Sequence, residues 1–439
     1  MSEPFRFPAG FRWGVATSAY QIEGAVRDDG RGVSIWDTFA HEPGRIVDGG
    51  TGDVACDHYH RYAEDVALMA DLGVDAYRFS VAWPRIQPDG SGPANARGVA
   101  FYDRLVDALL ARGIDPVVTL YHWDLPQAVQ DAGGWLNRDT SARFAEYAGL
   151  VGTALGDRVR LWITLNEPFV HMSLGYGMGS HAPGEMLLFN AFPVAHHQLL
   201  GHGRAVAALR AATRAPVAIT NNYSPVWVVG DRDADRVAAD TYDALHNRLF
   251  TDPLFGRGYP DGFDTSAVRD GDLETIAAPL DALGVNYYNP TGVRAPDEED
   301  GLPFEFVELE GYPRTGFDWP VVPDGLRQLL VLLRDRYGEA LPPLYVTENG
   351  CSYPEPLQDD ARIRYLDGHI RAVASAIGEG VDVRGYFVWS LLDNFEWAEG
   401  YTQRFGLVHV DFDTQARTPR ASFDWYRDLI AAQRGRRSA

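Results

Sequence analysis

Eight times along this 439-residue chain, a short apolar run ends in polar residues and gives way to an amphipathic stretch. The runs occupy 11–17, 74–80, 116–121, 159–166, 217–222, 282–287, 344–349 and 385–390. Several are almost continuously hydrophobic, as expected of parallel strands covered on both faces. Between them, Tyr59, Tyr62, Val66 and Met69 follow a 3, 4, 3 spacing, and Gly73 is placed to cap that helix. The same helical pattern recurs at 99–110, 141–155, 194–211, 325–337 and 362–377. This alternation predicts an α/β fold, a (β/α)8 TIM barrel forming a single domain over residues 1–439. Length alone would suggest more domains at roughly 150 residues each, but barrels of ~250 residues accept insertions that take them past 400. The surplus follows the first, fourth, sixth and eighth runs, which predicts long βα loops at the C-terminal face. A doubly wound open sheet is the rival, but no Gly-rich phosphate loop follows the first run.

Charge and composition narrow the chemistry. All 39 basic residues are arginine, set against 61 acidic residues, for a net charge of −22. Without lysine there is no Schiff base, pyridoxal-phosphate attachment or P-loop lysine. The acidic balance argues against a nucleic-acid partner. No apolar run approaches the ~20 residues of a membrane-spanning helix, so no membrane role is expected. Residues 1–10 lack the basic start and apolar core of a signal peptide. Two cysteines, Cys56 and Cys351, are too few for a disulfide framework or a zinc cage. They read as reduced thiols, and the expected location is cytoplasmic. Homo-oligomerisation is left open.

In a barrel, the carboxyl ends of the strands share one rim, so residues far apart in sequence combine into one site. Those ends offer Arg78, Tyr121-His122-Trp123, Asn166-Glu167-Pro168, Asn286-Tyr287-Tyr288, Thr347-Glu348-Asn349-Gly350 and Trp389, with Glu396-Trp397 beyond. Glu167 and Glu348 carry the sharpest signal. A lone glutamate is usually solvated, but both of these close apolar runs and are flanked by Asn, Pro or Gly. Paired carboxylates cleave glycosidic bonds, one as acid and the other as nucleophile or base. A metal-dependent sugar isomerase built on His122 is the rival, yet no HxH or HxxxH pair accompanies His122 on its run. Tryptophan is plentiful: Trp13, Trp36, Trp83, Trp123, Trp135, Trp162, Trp389 and Trp397. An indole presents a flat apolar face to sugar C–H groups. Most tryptophans are packing residues; only Trp389 and Trp397, bracketing Glu396, stand out as platforms.

The ordered motifs FRWGVATSAYQIEGA, YRFSVAWPRI, YHWDLP, TLNEP, GVNYY, VTENG and SLLDNFEWAEGY extend this pattern. From Phe7-Pro8 to about Trp425 the chain resembles glycoside hydrolase family 1 β-glycosidases of the β-glucosidase type. The resemblance implies a retaining, exo-acting β-glucosidase with side activity on β-galactosides and β-fucosides, acting on a small-molecule β-glycoside without a cofactor. It implies Glu167 as acid/base and Glu348 as nucleophile. Gln21, His122, Asn166, Glu396 and Trp397 would bind the sugar, with Trp389 beneath it and Phe405 on its C6 side. Arg78, Asn286 and Tyr288 would support the nucleophile. Glu396-Trp397 matches the arrangement for unphosphorylated sugars, and Glu167 stands where thioglucosidases carry glutamine.

Retention requires carboxyls ~5–5.5 Å apart. At that range two negative charges repel by about 3 kcal/mol at an effective dielectric near 20, which would keep Glu167 protonated beside an ionised Glu348. Two departures from the family pattern bear on the entrance: Phe169 where tryptophan is common, and a short stretch at 351–360; a third, the altered segment at 315–323, carries no assigned effect.

Overall fold

The computed structural model describes residues 5–297, 301–354 and 357–435. Eight parallel strands close into a barrel: β1 (Arg12–Ala16), β2 (Ala76–Ser80), β3 (Asp115–Tyr121), β4 (Leu161–Asn166), β5 (Val217–Asn222), β6 (Ala282–Asn286), β7 (Leu344–Asn349) and β8 (Val383–Trp389). Each apolar run holds one strand. β8 pairs with β1 from Arg12↔Gly385 to Ala16↔Trp389, so the sheet has no open edge and the doubly wound alternative is excluded. Every residue of β2, β4 and β6 is buried, which is why these runs show no alternation. The barrel interior packs Ala16, Ala76, Val117, Leu161, Ile163, Ala218 and Ala282 around Phe387 and Trp389. Gly14 on β1 has to be glycine because a Cβ there would overlap the Phe387 ring.

The expected helices surround the barrel: α1 (His58–Leu72), α2 (Ala96–Leu110), α3 (Asp139–Leu155), α4 (Phe192–Ala212), α5 (Pro323–Tyr337) and α6 (Asp360–Gly378). Gly73 closes α1 in the left-handed conformation, φ 76°, donating to Met69 O at 3.0 Å. Long segments do follow β1, β4, β6 and β8, but one also follows β5, which the sequence pattern did not single out. It carries the helix Asp233–Asp243 and a π-helical turn, Ala244–Arg248. Its helix is rich in aspartate and polar on average, although Ala238, Ala239 and Tyr242 give it a buried face that the sequence reading did not pick out. A small sheet of Val226–Val228, Thr291–Arg294 and Glu305–Val307 joins the loops after β5 and β6.

Buried arginines fasten the loop after β8. Arg420 donates to both oxygens of Asp393, at 2.9 and 2.8 Å, and to Gly406 O at 2.6 Å. Arg362 donates to Asp359 at 2.8 Å and to the carbonyls of Phe405 and Arg404 at 2.9 Å. A buried ion pair is tolerable only when its remaining donors are also satisfied. Here those donors grip the backbone that presents Phe405. Helix α1 is tied to the same region through Asp65, which accepts from Arg417 at 3.0 Å and pairs with His58 at 2.7 Å.

Candidate active site

A cavity of about 340 Å³ opens at the carboxyl ends of the strands. Glu348 ends up in it because β7 breaks register near its tip, where Glu348 lies across from Asn286 and Asn349 across from Val388. Such irregularities re-aim side chains next to functional sites. The following Gly350 admits no Cβ, since the Trp389 carbonyl presses against it. Glu348 Oε1 accepts from Arg78 at 2.6 Å, and Oε2 accepts from the Tyr288 hydroxyl at 2.8 Å. Arg78 is itself fully engaged, donating to Thr119 Oγ1 (3.2 Å), Thr347 O (3.1 Å) and Asn166 Oδ1 (2.6 Å).

Glu167 stands just past β4, in the left-handed region at φ 44°. Trp123 and Trp397, also on the cavity wall, share that region at φ 76° and 51°. Non-glycine residues rarely adopt it, and three around one cavity mark strain held in place by their surroundings. Glu167 Oε1 accepts from Asn286 Nδ2 at 2.8 Å and from Asn222 Nδ2 at 3.2 Å. Burial first, then the charge of Glu348, pushes the Glu167 carboxyl up to about 8. Burial raises Glu348 as well, but Arg78, Tyr288 and Asn286 oppose it. Since Glu167 has only neutral amide donors, it is the member of the pair that keeps the proton. Asn286, expected to support Glu348, thus faces both carboxyls: its amide donates to Glu167 at 2.8 Å and to Asn166 at 3.1 Å, and its Oδ1 accepts from Thr347 Oγ1 at 2.7 Å.

Eight of the twelve residues singled out in the sequence line the cavity: His122, Glu167, Tyr288, Glu348, Trp389, Glu396, Trp397 and Phe405. Gln21, Arg78, Asn166 and Asn286 lie directly beneath its wall, fully buried. Gln21 donates to Asn394 Oδ1 and Phe395 O at 3.0 Å and to Glu396 at 3.3 Å. Asn166 Nδ2 meets His122 Nε2 at 3.0 Å. Burial, then Arg78, holds His122 well below the usual imidazole range. A neutral His122 that accepts at Nε2 carries its proton on Nδ1, which is buried and has no partner. Glu396 is pushed up to about 8, by burial first and then by Glu348 and Glu167. Trp13, Trp36, Trp83, Trp135 and Trp162 are fully buried packing residues. Among the described residues, no three His, Cys, Asp or Glu side chains gather to hold a metal.

The model of glycosyl hydrolase family 1 matches residues 3–435. The chain belongs to that family. It is 50% identical to thermostable beta-glucosidase B of Thermobispora bispora, covering 97% of this chain and 90% of that one. It is 46% identical to a bifunctional beta-D-glucosidase/beta-D-fucosidase of Bifidobacterium breve, covering 97% and 98%. The solved structure of a family 1 β-glucosidase from Thermotoga maritima superposes with a TM-score of 0.95 at 42% identity, over 98% of this chain and 99% of that one.

The sequence reading of this family member missed much of the mouth. Asn222, Tyr223, His246, Phe317 and Trp319 also line the cavity. Phe317 and Trp319 come from the altered segment at 315–323; their rings stack at 4.5 Å, and Phe317 lies 5.7 Å from Phe405. Their aromatic spacing was the available signal. Phe169 does not reach the cavity wall but stacks behind His246 at 4.2 Å. In the stretch at 351–360, Ser352 Oγ donates to Gln403 at 2.7 Å, and residues 355–356 lie outside the described residues.

Proposed function

We propose that the protein is a retaining, exo-acting β-glucosidase that releases terminal β-D-glucosyl residues from cellobiose and aryl β-glucosides, with side activity on β-galactosides and β-fucosides. The observation that carries this reading is the asymmetry of the carboxyl pair: Glu348 lies against a guanidinium and a phenol, Glu167 against amides alone. The relatives named for glucosidase and fucosidase activity support the substrate class.

In the first step, ionised Glu348 attacks the anomeric carbon as the glycosidic C–O bond breaks. The departing oxygen takes the proton of Glu167. Esterified Glu348 no longer carries charge, so the repulsion that raised Glu167 disappears and Glu167 becomes a base. It then removes a proton from water as the water oxygen attacks the anomeric carbon and frees Glu348. Two inversions give net retention.

A sugar seated on Trp389 is offered the Glu396 carboxyl and the edge of the His122 ring. The amides of Gln21 and Asn166 join once they exchange internal partners. The buried floor favours binding at a chain end and so exo action. The buried thiols Cys56 and Cys351 suit a cytoplasmic enzyme that consumes short products of cellulose breakdown. Proton NMR of 4-nitrophenyl β-glucoside hydrolysis tests the reading: β-glucose appears first if it holds, whereas α-glucose first would overturn it. Activity that survives EDTA is also expected.

A further inference from the structure

The amides that hold Glu167 are not equivalent. Asn286 stands on a barrel strand, but Asn222 is oriented by residues of the segment after β5, which no strand-end motif announces. Asn222 Oδ1 meets His246 Nε2 at 2.8 Å, and His246 Nδ1 meets the Tyr242 hydroxyl at 2.9 Å. His246 is clamped by Phe169, whose ring stacks on it at 4.2 Å, and sits in the π-helical turn Ala244–Arg248. Such turns inside helices often mark functional positions.

The direction of each bond follows from this geometry. Asn222 Nδ2 donates to Glu167 Oε1, so its Oδ1 can only accept from His246; that puts the imidazole proton on Nε2 and leaves Nδ1 to accept from the Tyr242 hydroxyl. The His246 bond holds the amide with its NH2 group toward Glu167 Oε1. Asn286 donates to the same oxygen. With two donors on Oε1, the transferable proton is assigned to Oε2.

We propose that Tyr242 and His246 form a positioning relay which, through Asn222, holds the acid/base Glu167 with its proton on the oxygen that must deliver it. The proposal rests on the reading of Glu167 as the acid. Burial keeps His246 neutral, at about 4, so the relay holds one tautomer across the working range. The ionisable groups acting on Glu167 are Glu348 from β7 and Arg78 from β2, while Asp243 acts on His246. The relay itself adds no charge.

Leaving groups separate this role from a structural one. Phenoxide leaves poorly and needs the proton, whereas 2,4-dinitrophenolate leaves without it. Replacing the donor in His246→Leu is expected to lower kcat/KM for phenyl β-glucoside about 10-fold, and for the dinitrophenyl glucoside less than 2-fold. His246→Gln, whose amide can still donate, should recover most of the loss. Tyr242→Phe keeps the packing and should show the same bias at about 3-fold, so the test survives a poorly folding His246→Leu. Equal losses on both substrates, or a Gln variant as impaired as Leu, would overturn the relay. Glu167→Gln is the control. A steep leaving-group bias there with none in the relay variants rejects the relay alone. No bias in Glu167→Gln rejects the acid assignment and the relay with it.

Discussion

The corners of the cavity around Glu348 and Glu167 are equally buried and differ chiefly in their donors. Glu348 meets Arg78 at 2.6 Å and the Tyr288 hydroxyl at 2.8 Å; Glu167 meets two side-chain amides at 2.8 and 3.2 Å. Desolvation penalises both carboxylates, so burial alone cannot assign acid and nucleophile. A cation in contact with one and not the other does. The lesson is that residues beneath the cavity wall, Arg78 above all, decide which carboxyl is charged.

The contrast can be broken at either corner. Glu348→Gly should cause the largest loss, on the order of 10⁵ in kcat. Azide should then restore turnover to α-glucosyl azide, identified by NMR. Arg78→Met removes one partner of a buried ion pair and so costs about 3–5 kcal/mol, which in the transition state is roughly 10²–10⁴ in kcat/KM. Because Arg78 holds Glu348 down, its loss raises that pKa and moves the acid limb of the kcat/KM profile to higher pH.

The other limb belongs to Glu167. In the proposed mechanism activity needs its proton, so kcat/KM should fall as pH rises through about 8. In Asn286→Ala, loss of a donor to the carboxylate raises Glu167 further and shifts that alkaline limb upward, with a loss of about 10-fold. The smallest effect is expected at the mouth. Trp319→Ala should raise KM for cellotriose by about 2–10-fold, the worth of one aromatic contact, while kcat on an aryl glucoside stays within 2-fold.

Much of this was legible in the sequence, for physical reasons. Strands buried on both faces announce themselves as unbroken apolar runs, and all eight runs hold barrel strands. Polar residues at strand tips have one place to point, so Glu167, Glu348 and His122 could be grouped before any coordinates. The loop after β5 was harder: its aspartate-rich helix reads as a solvated one, and Asn222–His246–Tyr242 becomes a chain only when the π-helical turn folds back onto the tip of β5. The placement of Asn286 between both carboxyls was also hidden, because it depends on the register break at the tip of β7.

The central claim is that Glu348 bonds to the sugar and Glu167 does not. Incubation with 2-deoxy-2-fluoro-β-glucosyl fluoride followed by peptide mass spectrometry tests it most directly. The account predicts a single glycosyl adduct on Glu348. An adduct on Glu167 or Glu396, or turnover that leaves no adduct on any carboxyl, would contradict it.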